Sequence, residues 1–164
     1  MSNTVNIHAT CVVLAHAGGT FGASRDAGVL LLGKSGSGKS DLALRLISRG
    51  AILVSDDRTE LCEQGGHLVA RPPVPLRGLI EARGVGIVAL PHTHKARIAL
   101  AVQLDQKVPR LPREEHYKAP WDLPVPVPLI RLAAFESSAP EKIALAVAAF
   151  ERNLFRDSVG AQSK

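Results

Sequence analysis

The chain predicts a single α/β domain built around a phosphate-binding loop, and three observations predict it. The run Gly33-Lys34-Ser35-Gly36-Ser37-Gly38-Lys39-Ser40 fits the pattern G-x-x-x-x-G-K-[ST] without a mismatch. Gly28-Val29-Leu30-Leu31-Leu32 before it reads as a buried strand, and residues 41–49 after it read as a helix. Further short apolar strands follow, and a second apolar-faced helix closes the chain. At 164 residues the chain is one domain by length, large enough to bury a proper core.

Along residues 5–13, Val5, Ile7, Ala9, Cys11 and Val13 share one face, while Asn6, His8 and Thr10 share the other. This is a half-buried strand with His8 on its polar face. Residues 15–27 are rich in Gly, Ala and Ser and read as a flexible connection. At the phosphate loop, free N–H groups and the positive end of a helix dipole converge on one point. Lys39 is placed to reach the β/γ-phosphates of a nucleotide, and the Ser40 hydroxyl to hold Mg2+. Leu42, Ala43, Leu46 and Ile47 give the following helix an apolar stripe, and Gly50 stops it.

Ile52-Leu53-Val54 is a short buried strand that ends in Ser55-Asp56-Asp57. Residues 60–70 predict a hairpin turning at Gly65-Gly66. Pro72, Pro73 and Pro75 exclude regular structure after it. Residues 87–90 form another strand, and in residues 98–104 Ile98, Leu100, Val102 and Leu104 fall on one face. Residues 109–128 are proline-rich, hold Tyr117 and Trp121, and predict an ordered but irregular loop. Ser138 and Glu141 form a capping box, with Pro140 in the first turn, ahead of a helix over residues 141–155. That helix carries Ile143, Leu145, Ala146, Ala149 and Phe150. The domain is expected over residues 1–156, with residues 157–164 a disordered tail.

Composition narrows the function. Aromatics make up only 4%, so the core must rest on aliphatic side chains. A net charge of +5 favours anionic partners such as nucleotides or an acidic protein. No basic patch is interleaved with aromatics, so no nucleic-acid partner is expected. Cys11 and Cys62 lack metal-ligand spacing and lie in apolar stretches. Two buried free thiols suit a reducing, cytoplasmic setting. The N-terminus has no signal-peptide pattern, and no run of about 18 apolar residues occurs, so no membrane association is expected.

Beyond the loop, two features carry chemistry. Adjacent acids on an extended chain point to opposite sides, so Asp56 and Asp57 can divide two tasks. One can meet Mg2+ and the other can take a proton from an acceptor hydroxyl. The plain alternative is a solvated turn. In Glu81-Ala82-Arg83-Gly84-Val85-Gly86, Glu81 can complete a metal shell, and the glycines let backbone approach a ligand or another chain. His92 and His94 offer at most a weak metal site.

Together these residues resemble the catalytic domain of HPr kinase/phosphorylase. The loop and helix through Arg49-Gly50 look like that family's, and Ser55-Asp56-Asp57 matches its paired aspartates. The stretch from Ile80 to Ile87 is similar to the family signature L-E-I-R-G-L-G-I, and His8 looks like its functional histidine before the loop. The match covers roughly residues 5–90. The resemblance implies a compact phosphate-loop kinase fold of the HPr kinase/PEP carboxykinase-like type, assembled as a hexamer. It implies an ATP- and Mg2+-dependent protein serine kinase acting on HPr or an HPr-like phosphocarrier of a phosphotransferase system. The reverse reaction would be phosphorolysis, with phosphate attacking phosphoserine and pyrophosphate leaving. In that scheme the backbone from Gly33 to Lys39 wraps the phosphates and Lys39 neutralises the transferred group. Ser40, Asp57 and Glu81 organise Mg2+, Asp56 is the base, and His8 steadies the γ-phosphate. The family's N-terminal regulatory domain is not seen, as in short forms typical of alphaproteobacteria. The connection from His8 to Gly33 is longer than the family's, and Arg110, Arg113 and Arg131 are the candidates for its phosphorolysis arginine. The rival readings are a small-molecule kinase on the same fold and a non-catalytic nucleotide sensor.

Overall fold

The computed structural model describes residues 3–156. An eight-stranded sheet runs in the order β1-β5-β6-β9-β3-β2-β4, with β10 also paired to β9. Its members are β1 (Thr4–Ile7), β2 (Ala9–Val13), β3 (Gly28–Leu32), β4 (Ile52–Ser55), β5 (Thr59–Gln64), β6 (His67–Arg71), β9 (Ala96–Leu104) and β10 (Leu129–Leu132). A separate two-stranded hairpin joins β7 (Leu79–Ala82) to β8 (Gly86–Ala89). The helices are α1 (Lys39–Ser48) and α2 (Ala139–Arg152).

Three strands, β3, β9 and β10, run parallel, so their C-terminal ends emerge together. That edge is where an open α/β sheet presents ligand sites. The apolar run of β3 is explained by burial on both faces. Val29 and Leu31 pack with Leu42, Leu46, Leu100, Val102, Ile143 and Val147 on the helix side. Leu30 packs with Cys11, Val54, Leu61, Leu68 and Ala101 on the other side, where Tyr117, Trp121 and Leu123 of the proline-rich segment cover the cluster. Both cysteines are buried and free, and burial pushes the Cys11 thiol far up. No helix among the described residues is long and apolar enough to cross a membrane.

Several expectations are corrected. The single strand over residues 5–13 is two strands, because the chain changes partners at His8. β1 pairs with β5, whereas β2 pairs with β3 and β4. Its polar face is wet only in part, since Asn6 is exposed and His8 half-buried but Thr10 is fully buried. Residues 15–27 are not a loose connection. Ala15–Phe21 form a 310 helix packed on α2, with Leu14, Ala15, Gly18, Ala23 and Ala27 buried. α2 begins earlier than expected and lacks the capping box, because the Ser138 hydroxyl donates to Glu136 rather than to the helix. Its stripe is rotated too. Ala144, Val147 and Ala148 are buried, while Leu145 and Phe150 are exposed. The expected tail, residues 157–164, lies outside the described residues.

Candidate active site

The phosphate loop follows β3 and ends in α1, as the motif requires. Gly36 and Gly38 adopt φ of +82° and +100°, which glycine reaches without strain. Gly38 is the residue that caps α1, and its carbonyl accepts from the Leu42 N–H at 2.9 Å. Lys39 is buried, and its ammonium donates to the carbonyls of Gly33 at 2.6 Å and Lys34 at 2.9 Å. The side chain thus arches back over its own loop, where phosphate oxygens would take over as acceptors. Burial pulls the Lys39 pKa down, and the charges of Asp57 and Asp56 partly offset that pull.

The two aspartates follow β4 and have different surroundings. Asp56 is buried, and every contact holds it in place. Its Oδ1 accepts from the hydroxyls of Ser40 at 2.6 Å and Thr10 at 3.0 Å, and its Oδ2 accepts from the Glu81 N–H at 3.0 Å. Asp57 has its side chain 63% exposed, and its Oδ1 meets His8 Nε2 at 2.5 Å. Asp57 also has φ +69°, and the Arg58 N–H donates to the Asp56 carbonyl across it at 2.8 Å. An i to i+2 bond around a positive φ is the rare γ-turn, and such strain concentrates at functional sites. The Asp57 N–H donates to the Thr10 hydroxyl at 3.1 Å, so one buried threonine supports both acids.

The loop, Lys39, Ser40, Asp56, Asp57 and His8 are therefore brought together, as expected. Glu81 joins them through its backbone N–H, and its side chain is exposed on β7. Gly84 and Gly86 have positive φ, but nothing lies within 4 Å of where a Cβ would stand, so they serve the β7–β8 turn. Among the described residues no cluster of three or more His, Cys, Asp or Glu is arranged to hold a metal, His92 and His94 included. Arg131 is bound to Asp105 at 2.7 Å and Glu115 at 2.9 Å, which gives it a structural task. The sequence gives no sign of the role of Thr10, because a threonine in an alternating run reads as solvent-facing.

A cradle of backbone N–H groups, a buried lysine and a serine–carboxylate pair at the edge of a mixed sheet define a phosphate-loop α/β domain equipped for phosphate chemistry. The chain belongs to the HPr serine kinase C-terminal domain family, whose model matches residues 13–151. It is 38% identical to the HPr kinase/phosphorylase of Cupriavidus necator over 119 residues, 65% of this chain and 37% of that protein. It is likewise 38% identical over 112 residues to the HPr kinase/phosphorylase of Latilactobacillus sakei, covering 60% of this chain and 36% of that one. The chain thus spans little more than a third of the length of these relatives. The solved structure of the Hpr(Ser) kinase/phosphatase from Coxiella burnetii superposes with a TM-score of 0.70 at 26% identity, covering 92% of this chain and 98% of that one.

Proposed function

We propose that this chain is an ATP-dependent protein serine kinase and phosphorylase whose acceptor is a serine of HPr or an HPr-like phosphocarrier. The family and the named relatives supply the acceptor. The observation that carries the chemistry is the contrast between the two aspartates. Asp56 is buried and bound to the loop serine, while Asp57 is exposed and bound to a histidine.

That contrast supports exchanging the two roles expected from the resemblance. Ser40 with Asp56 is the donor set that suits Mg2+, a hard ion held by one or two carboxylates, a hydroxyl and substrate phosphates. Bound there, Mg2+ would supply charge neutralisation on the nucleotide phosphates. The Glu81 carboxylate has no hydrogen bond among the described residues to draw it into that set. Asp57 is then the group that meets the acceptor. As the serine oxygen bonds to the γ-phosphorus, its proton passes to the Asp57 carboxylate and ADP carries away the bridging oxygen. In the reverse direction an oxygen of hydrogen phosphate, its proton passing to Asp57, bonds to the phosphorus of phosphoserine as the P–O bond to serine breaks; Asp57 gives the proton to the departing serine oxygen, and pyrophosphate is released. His8 holds the Asp57 carboxylate in place, and Lys39 moves from its loop carbonyls to the transferred group.

The hexamer implied by the resemblance has support in the exposed Val85 and Ile87 of the β7–β8 hairpin, which subunit contact would cover. Light scattering tests it. A cytoplasmic setting has support in the two buried free thiols.

The test is incubation with Mg-ATP and HPr from the same cell, with phosphate mapped by mass spectrometry. A phosphoserine on HPr that disappears in Asp57→Asn, with ATP binding intact, is expected, the loss being about 100-fold or more in rate. Unchanged transfer by Asp57→Asn removes the base assignment. ATP binding without transfer to any phosphocarrier moves the chain to the sensor or small-molecule reading.

A further inference from the structure

The geometry points to the cleft beside Phe135 as the nucleoside subsite, with the Phe135 ring as the platform on which the base stacks. This rests on the nucleotide reading above and deepens it.

The reacting end of a triphosphate must face Asp57 and His8. Both lie on the β2–β4 side of β3, at the end of β4 and the start of β2. The nucleoside must therefore leave the loop on the other side, toward β9 and β10. There the segments that follow the parallel strands β3, β9 and β10 enclose a cleft of about 530 Å³. Gly36 and Ser37 come from the loop, Leu104 and Gln106 from the end of β9, and Ala134 and Phe135 from beyond β10. That volume lies in the range of small-molecule sites, about 300–1,000 Å³. A second cleft, lined in part by Arg25, Lys95 and Arg97, includes no residue of the loop.

Phe135 itself is placed for this task. It is 70% exposed, the most exposed of the described aromatic side chains. Phe150 and Phe155 cover each other at 4.7 Å, but Phe135 has no ring partner among the described residues. Nor is it on a loose end. Arg45 of α1 donates to the carbonyls of Ala134 and, at 3.3 Å, Glu136, so the backbone on both sides of Phe135 is pinned. A Cβ built on Gly38 would come within 2.9 Å of the Phe135 ring, so the ring sits directly on the loop. An apolar ring held at the edge of a phosphate site is suited to a base, because every nucleobase offers a π-face.

The test compares Mg-ATP with Mg-tripolyphosphate, which keeps the phosphates and lacks the nucleoside, by titration calorimetry on the full chain. Wild-type protein is expected to bind ATP more tightly than tripolyphosphate. Phe135→Ala should weaken ATP at least about fivefold, the lower end for loss of one stacked base, and leave tripolyphosphate within about twofold. Phe135→Trp should keep ATP affinity and report ATP, but not tripolyphosphate, as quenched emission. Equal loss of both ligands in Phe135→Ala, or no loss of either, overturns the subsite and leaves the phosphate cradle standing. Wild-type protein that binds neither ligand overturns the nucleotide reading, and the platform with it.

Discussion

The Ser40 hydroxyl donates to Asp56 Oδ1 at 2.6 Å and so joins the start of α1 to the end of β4. A loop hydroxyl and a buried carboxylate placed this way would suit the Mg2+ of the proposed function. Asp56→Asn tests it cleanly. The amide oxygen can still accept from the Glu81 N–H, and the amide NH2 can face the Ser40 and Thr10 hydroxyls, which can accept as well as donate. The variant should fold but lose the carboxylate charge. Calorimetry should show wild-type ATP binding strengthened by Mg2+ over EDTA and Asp56→Asn binding indifferent to it. A retained Mg2+ gain would return the metal to Asp57.

Lys39 gives a pH dependence with a definite sign. Burial lowers its pKa below the ordinary 10.5, with the aspartate charges partly opposing. The charged form is the disfavoured one in the folded state. Its cost to stability is present at neutral pH and is relieved as pH rises through the folded pKa toward the unfolded value. Anion binding runs the opposite way, since it needs the ammonium. Tripolyphosphate affinity should therefore fall with rising pH, starting below the range of an ordinary lysine, while apo stability does not fall with it. Lys39→Met should flatten the affinity profile and weaken binding about 100-fold, without lowering Tm by more than a few degrees.

What the residues reveal in advance depends on how local each feature is. The loop, α1, the hairpin at Gly65-Gly66 and the apolar runs of β3 and β9 are local patterns bounded by turn residues, and each is found where expected. The break at His8 is invisible, because alternation continues unbroken through a change of partner strand. Thr10 carries no mark of its bond to Asp56, which depends on residues 46 positions apart. β10 is four residues long, too short to show a period, and its place beside β9 brings the segment after it into one wall of the Phe135 cleft. The different surroundings of Asp56 and Asp57 are equally hidden, since alternation says only that they differ. Which one is buried is decided by the neighbouring strand β2.

Arg131 ties together two loops through acidic partners on each. Its guanidinium reaches Glu115 through two nitrogens and Asp105 through a third contact, and those acids hold its pKa far up. It fastens the proline-rich segment to the end of β9. The network is partly exposed, so salt screens it. Arg131→Gln should lower the urea midpoint slightly, less so in high salt, and leave the ratio of kinase to phosphorolysis rate unchanged. A selective loss of phosphorolysis would make Arg131 the missing phosphorolysis arginine after all.

Two glycines of the loop separate backbone strain from packing. Both Gly36 and Gly38 hold positive φ, so an alanine at either pays the left-handed cost of about 1–2 kcal/mol. Around Gly36 nothing lies within 4 Å of a new Cβ, so that cost is the whole effect. At Gly38 the new methyl would stand 2.7 Å from the Ala134 Cβ and 2.9 Å from the Phe135 ring, and Arg45 holds that segment in place. The clash cannot be relieved by one flexible side chain, so either α1 or the 133–136 segment must shift. Gly38→Ala should therefore cost clearly more stability than Gly36→Ala in urea unfolding. It should also lose ATP affinity at least about tenfold, because its Cβ pushes apart the loop and the nucleoside cleft together. Equal destabilisation by the two substitutions would mean that the 133–136 segment yields freely, and that the loop and the cleft are not packed as one unit.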